Sequence, residues 1–215
     1  LHLSIRRQRQ MCIRDRVHDL AKVKPPFRYL AVDPSFSFVP LDYEEEMSMA
    51  EILEKHPKGI DYRYILEGKS KYPLILDSEG NVLSFPPIIN AELTRVTEST
   101  RDLFIDVTGL NEHVSIALNI IAYALAERGG EIQSVTLRSP TDRGLKVKET
   151  PDFEPRTMEV SVGEVRSLLG IDVSVEECTK CCERMGLSAE VKPGGMIEVK
   201  IPAYRYDILH PWDII

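Results

Sequence analysis

Long apolar runs, a disulfide set and a recognisable nucleophile motif are all missing from this chain. No uninterrupted hydrophobic stretch approaches the roughly 20 residues that a membrane-crossing helix needs, which excludes a transmembrane helix. Cysteine occurs four times in 215 residues, too sparse for a disulfide scaffold. With no visible signal peptide, the reducing cytoplasm is the expected compartment. Positive charge is not in excess: Lys and Arg total 27 against 34 Asp and Glu, a net charge of −7. A generic polyanion binder is therefore excluded, and any nucleic-acid contact must be local. The five histidines are scattered, no Ser-His-Asp or Cys-His pairing stands out by spacing, and no Gly-rich loop precedes a helix as phosphate binding requires.

What is present describes an ordinary globular protein. A hydrophobic share of 43% excludes wholesale disorder, and the length fits one or two domains. The first sixteen residues stand apart. Arg6, Arg7, Arg9, Arg14 and Arg16 face one acid, Asp15, with no helical or strand period. A basic arm that binds RNA is one reading. The other is a segment foreign to the protein, because the string Arg6 to Arg16 resembles translated adapter read-through. Residues 1–16 are set aside from the fold on that ground.

From Val17 onward, hairpins and helices alternate. Phe27 to Val32 reads as a strand after Pro25-Pro26, and Ser48 with Glu51 as a capping box opening a helix over Met49 to Lys55 that Pro57 and Gly59 end. Tyr72 to Leu76 and Asn81 to Phe85 flank a turn at Asp77-Ser78-Glu79-Gly80. Leu103 to Thr108 is the clearest strand. Val114 to Arg128 is the clearest helix, with Asn111 as its cap and Gly129-Gly130 as its stop. Ile132 to Leu137 reads as a further strand. The polar stretch from Ser139 to Asp152 then marks a domain boundary near residue 150. Beyond it come a strand at Thr157 to Val160, a helix at Val162 to Leu169, a Ser174/Glu177 capping box, and a hairpin of Ser188 to Lys192 with Ile197 to Ile201. That order suits a small winged-helix-like unit. The class is α+β rather than a wound parallel sheet.

Four places can carry chemistry. Ser84-Phe85-Pro86-Pro87-Ile88-Ile89-Asn90 is a stiff segment suited to a binding wall, or else a proline-rich connector. On the Leu103 strand, alternation puts Phe104, Asp106 and Thr108 on one face. Asp106 and Thr108 can together hydrogen-bond one small ligand, although a solvated outer face is the more ordinary meaning of such a pattern. Cys178, Cys181 and Cys182 share a helical face without the further Cys or His that zinc needs, and read as buried structural thiols. Asp207 and Asp213, six positions apart at the start of an expected helix, can share Mg²⁺ or be ordinary helix-start acids. The pattern stops mid-course after Ile215, as a fragment would.

Four motifs carry a family resemblance. They are His18-Asp19-Leu20-Ala21-Lys22-Val23-Lys24-Pro25-Pro26-Phe27, the Ser84-to-Asn90 string, Asp106-Val107-Thr108, and Ile201-Pro202-Ala203-Tyr204-Arg205-Tyr206-Asp207-Ile208-Leu209-His210. Together they resemble the β subunit of phenylalanine–tRNA ligase, archaeal type, over Val17 to Ile215. The resemblance implies a truncated editing domain with a mixed or antiparallel sheet over 17–150, followed by the winged-helix-like module over 151–215. It implies an editing pocket at Asp106 and Thr108, with Ser84, Leu74 and Asn90, that hydrolyses tyrosyl-tRNA(Phe) by attack of water assisted by the tRNA. No catalytic residue is assigned. It implies half a Mg²⁺ site at Asp207 and Asp213. It also implies a cytoplasmic complex of two α and two β subunits that binds tRNA(Phe) and uses ATP at an active site in the α subunit. The rival expectation is a non-catalytic module that binds RNA or a partner subunit.

Overall fold

The computed structural model describes residues 13–109, 113–142 and 144–215. The arm over residues 1–12 and the Asn111 cap lie outside the described residues. The chain divides into two compact units, one up to Val114 and one from Ser115. A boundary near residue 150 falls inside the second of these units. Helix α3 (Val114–Ala126) falls with the second unit because Asn119 Nδ2 donates to the Asp152 carbonyl at 2.7 Å, and because Tyr123 packs on Phe153 and Tyr204. Among the described residues, no helix is long and apolar enough to cross a membrane.

The first unit is built on a four-stranded antiparallel sheet in the order β2 (Arg28–Val32), β5 (Tyr72–Leu76), β6 (Val82–Phe85) and β7 (Ile89–Asn90). A separate ribbon pairs β1 (Ile13–Asp19) antiparallel with β8 (Leu103–Gly109). A second small ribbon joins β3 (Ser37–Phe38) to β4 (Met47–Ser48). The expected break after Arg16 is thus corrected: β1 runs through it without interruption, and Arg16 pairs with Asp106.

Helix α1 (Met49–Lys55) starts where Ser48 and Glu51 form the reciprocal capping box, the Ser48 hydroxyl accepting from the Glu51 amide at 3.2 Å. Pro57 does not end helical structure. It opens α2 (Pro57–Tyr62) with His56 as cap, since proline at a first helical position costs no hydrogen bond. Gly59 is needed there, because a Cβ would lie 1.8 Å from the Ile52 carbonyl oxygen. Met49, Ile52 and Leu53 pack on Leu74, Leu76, Val82 and Phe85 from one face of the sheet. Met49, Ile52, Leu74 and Phe85 have no exposed surface, and such side chains contribute about 1.5–3 kcal/mol each by leaving water. Asp77 holds the β5–β6 turn, accepting from the Glu79, Asn81 and Lys24 amides and from Asn81 Nδ2. Burial works to raise its carboxyl, and these hydrogen bonds outweigh it, holding the group below its ordinary value.

Glu51 gives a pH signature. Its hydrogen bond from Lys55, then those from Ser48, lower its carboxyl from 4.5 to about 2. A depressed carboxyl supports the fold above 4.5, and that support is lost as pH falls through about 2. Melts at stepped pH should show a shallower loss of stability across this window in Glu51→Gln than in the unaltered chain.

The second unit carries a hairpin of β9 (Val135–Thr141) and β10 (Gly144–Thr150), whose strands are almost wholly exposed. The expected polar linker is therefore a strand pair in part, and the Ile132 strand begins later than expected, at Val135. A three-stranded antiparallel sheet then sets β13 (Met196–Ile201) between β11 (Arg156–Ser161) and β12 (Ser188–Lys192). Helices α4 (Val162–Leu169) and α5 (Val175–Arg184) cover it, with Ser174 and Glu177 forming the expected capping box and Gly170 ending α4 at φ 68°. The core joins Val160, Val162, Val165, Leu187, Ile197, Val199, Ile201 and Ile208.

Candidate functional site

The site follows from strand alternation on the β1–β8 ribbon. Arg14, Arg16 and His18 alternate on one face of β1, and register places them opposite Thr108, Asp106 and Phe104. This face packs against the four-stranded sheet: Phe104 lies on Ile75 and Leu83 beside the His18 ring, and the Ser84 hydroxyl reaches Asp106. The solvated outer face is therefore corrected: Asp106 is 8% exposed, Ser84 and His18 not at all.

Asp106 is the hub. Its Oδ1 accepts from Arg16 Nη1 at 3.0 Å. Its Oδ2 contacts His18 Nε2 at 2.9 Å and accepts from the Ser84 hydroxyl at 3.4 Å. Arg16 Nη1 also donates to Thr108 Oγ1 at 2.8 Å. On its other side, His18 Nδ1 lies 2.8 Å from Thr94 Oγ1. Nε2 faces the carboxylate as a donor, while the Thr94 hydroxyl beside Nδ1 also donates to the Ala91 and Leu83 carbonyls at 3.2 and 3.4 Å. Burial lowers the pKa of Arg16, against the Coulombic pull of Asp106. Tyr29, 62% exposed, stands at the rim, its phenol raised by desolvation and by the charge of Asp106 and lowered by Arg16.

Of the five expected pocket residues, the structure brings Asp106, Thr108 and Ser84 into one hydrogen-bonded cluster. Asn90 is the cross-strand partner of Ser84 and so shares its face, half-buried. Leu74 does not join them. It packs with Phe85 and α1 in the core on the opposite face of the sheet. The reason is a register shift between Ile75 and Leu76, which turns Leu83 and Ser84 to the same side and breaks simple alternation along the hairpin. His18 and Thr94 carry no role in the expectations above. The Arg14-x-Arg16-x-His18 alternation is the signal that finds His18; nothing local marks Thr94.

The expected metal pair is not assembled. Both carboxylate oxygens of Asp207 accept from Arg205, at 2.8 Å each. Asp213 Oδ2 accepts from the Leu209 and His210 amides at 2.8 and 2.7 Å, capping a single 3₁₀ turn, Pro211–Asp213, where a longer helix was expected. Hydrogen bonds to Arg205 hold the carboxyl of Asp207 low, and hydrogen bonds to the two amides do the same for Asp213. Among the described residues, no group of three or more ligating side chains could hold a metal ion. These two aspartates do not fit the ion as a set. The three cysteines also divide: Cys182 is buried and Cys178 half-buried against the core, while Cys181 is exposed. Burial pushes the thiols of Cys178 and Cys182 up.

Comparison with known proteins agrees with this architecture. The model of the tRNA synthetase B5 domain matches residues 158–215. The phenylalanine–tRNA ligase beta subunit of Methanosarcina barkeri is 57% identical over 215 residues, which is 100% of this chain and 39% of that protein. The corresponding subunit of Archaeoglobus fulgidus is 55% identical over 216 residues, covering 100% of this chain and 38% of its own length. A crystal structure of an N-terminal fragment of the phenylalanyl-tRNA synthetase beta-subunit from Pyrococcus horikoshii superposes with a TM-score of 0.89 at 41% identity, covering 99% of this chain and 61% of that one. The chain thus spans about two fifths of the length of its curated relatives, and it belongs to the family of phenylalanine–tRNA ligase beta subunits.

Proposed function

We propose that the first unit is an editing module that hydrolyses tyrosyl-tRNA(Phe), within a ligase that attaches phenylalanine to tRNA(Phe) with ATP. A synthetic pocket shaped for phenylalanine rejects an added hydroxyl by only about a hundredfold, so a second site must read the hydroxyl directly. The observation that carries this reading is the juxtaposition of Asp106 and Thr108. Their oxygens converge within 3.0 Å of one point, now held by Arg16 Nη1. A phenol oxygen at that point donates to Asp106 and accepts from Thr108. His18 and Ser84 keep the carboxylate aimed there, so its orientation is set before substrate arrives.

The cluster contains no nucleophile activated by a base, so the ester is cleaved by water, assisted by the tRNA. Asn90 and Ser84 form the wall, and Leu74 supports the sheet from behind. The synthetic active site and its ATP belong to the α subunit, in a cytoplasmic assembly of two α and two β subunits. Mg²⁺ needs ligands beyond Asp207 and Asp213.

The test is deacylation of tyrosyl-tRNA(Phe) and phenylalanyl-tRNA(Phe) by the ligase whose β subunit contains this chain. Tyrosyl ester should be lost at least about tenfold faster, the effect of one hydrogen bond to a charged group. Equal rates, or none above buffer, would leave the rival description: a non-catalytic module that binds RNA or a partner subunit.

A further inference from the structure

We propose that Arg16 is a plug, its guanidinium occupying the hydroxyl-binding point of the Asp106–Thr108 pair. This rests on the editing reading for the identity of the substrate, though not for the existence of the masked site.

Three observations carry it. The first is position. A single nitrogen, Arg16 Nη1, satisfies both Asp106 Oδ1 at 3.0 Å and Thr108 Oγ1 at 2.8 Å, which are the two atoms a guest hydroxyl would bridge. The second is poor fit. Four buried side-chain polar atoms lack a partner among the described residues, and three of them are Arg14 Nε, Arg14 Nη2 and Arg16 Nη2. Native interiors leave few such groups, and each costs its desolvation. Both arginines lie on β1, where their register partners are Thr108 and Asp106. The third is charge. Arg14 and Arg16 lie on one strand face beside one carboxylate, and Arg14 acts on Arg16 as a repelling like charge. Arg16 thus binds Asp106 through one nitrogen while its Nη2 has no partner; Arg14 lies over the Tyr62 ring at 4.1 Å, with its own Nε and Nη2 without partners. A neutral hydroxyl makes the same two contacts without that desolvation cost.

Because ligand and plug compete for one point, the apparent affinity is the intrinsic one reduced by the fraction of open sites. Replacing Arg16 with a small residue should therefore tighten binding of a phenol.

The test compares the unaltered ligase with Arg16→Ala, using saturation-transfer NMR titrations of p-cresol and of toluene, alongside tyrosyl-tRNA(Phe) deacylation. Arg16→Ala should bind p-cresol about tenfold more tightly with toluene gaining less, and should lower KM for the tyrosyl substrate with little change in kcat. Should Arg16→Ala fail to melt cooperatively, Arg16→Ser carries the same expectation with a side chain that keeps one polar contact. Unchanged or weaker p-cresol binding in the folded variant overturns the plug. An equal gain for p-cresol and toluene also overturns it, since that reports added space and no freed hydrogen-bond site. Tighter p-cresol binding with no deacylation by either form leaves the masked site standing and overturns the editing reading alone.

Discussion

Asp106→Ala should lower the melting temperature of the first unit by about 12 °C or more. Truncating the carboxylate strands Arg16, which is 6% exposed, with Thr108 as its remaining partner, and strands His18, wholly buried, with Thr94. Removing one member of a buried ion pair costs about 3–5 kcal/mol, because the other charge stays desolvated and uncompensated. In a unit of this size each kcal/mol moves the midpoint by about 4–8 °C. Asp106→Asn should cost less, since its amide oxygen still accepts either from Arg16 or from His18 and Ser84. The decisive comparison is a cycle with Arg16→Ala. If the penalty comes from the stranded guanidinium, Asp106→Ala should cost at least about 1 kcal/mol less in the Arg16→Ala background. Equal costs in both backgrounds would locate the penalty elsewhere, in the contacts of His18 and Ser84.

That network shows what local pattern reveals and what it hides. Alternation along Leu103 to Thr108 correctly groups Phe104, Asp106 and Thr108 on one face. It cannot say whether that face meets water or protein, because the covering sheet and the partner strand lie far away in sequence: His18 and Asp106 are 88 residues apart. Setting the first sixteen residues aside for their composition also removed half of β1 from view. The capping boxes at Ser48 and Ser174 are legible because a cap is local chemistry, made within three residues. The β9–β10 hairpin is legible only in part: Val135-Thr136-Leu137 and Leu145-Lys146-Val147 alternate, but the runs are short, and Pro140 and Gly144 fall inside the paired segments as they would in a loop. The forward ties of the Val114 helix are hidden for the same reason of range. The Asn119 bond to Asp152 and the packing of Tyr123 on Tyr204 tie the helix forward, while loop composition near 150 suggests a cut.

Leu74 is where family resemblance and geometry part most clearly, and Leu74→Ala separates them. The side chain has no exposed surface and packs with Met49, Ile52 and Phe85, on the face of the sheet away from Asp106. Shortening it to alanine removes the apolar contacts and leaves a cavity between α1 and β5. The cost of such a change is about 2–5 kcal/mol, depending on how far the surroundings collapse. Chemical denaturation should show a lowered midpoint with an unchanged slope, the mark of lost stability without a change in the surface exposed on unfolding. Assayed where the variant is still folded, its preference for tyrosyl over phenylalanyl ester should match the unaltered chain, because no atom of Leu74 borders the hydroxyl point. A core residue behind the sheet acts on the site only by holding β5 and β6 in register, and a partly collapsed cavity shifts that register little while the Ile75 to Ser84 pairing persists. If Leu74→Ala instead abolished the preference with stability intact, Leu74 would line the pocket, and the register shift at Ile75 and Leu76 would have to be absent when substrate is bound.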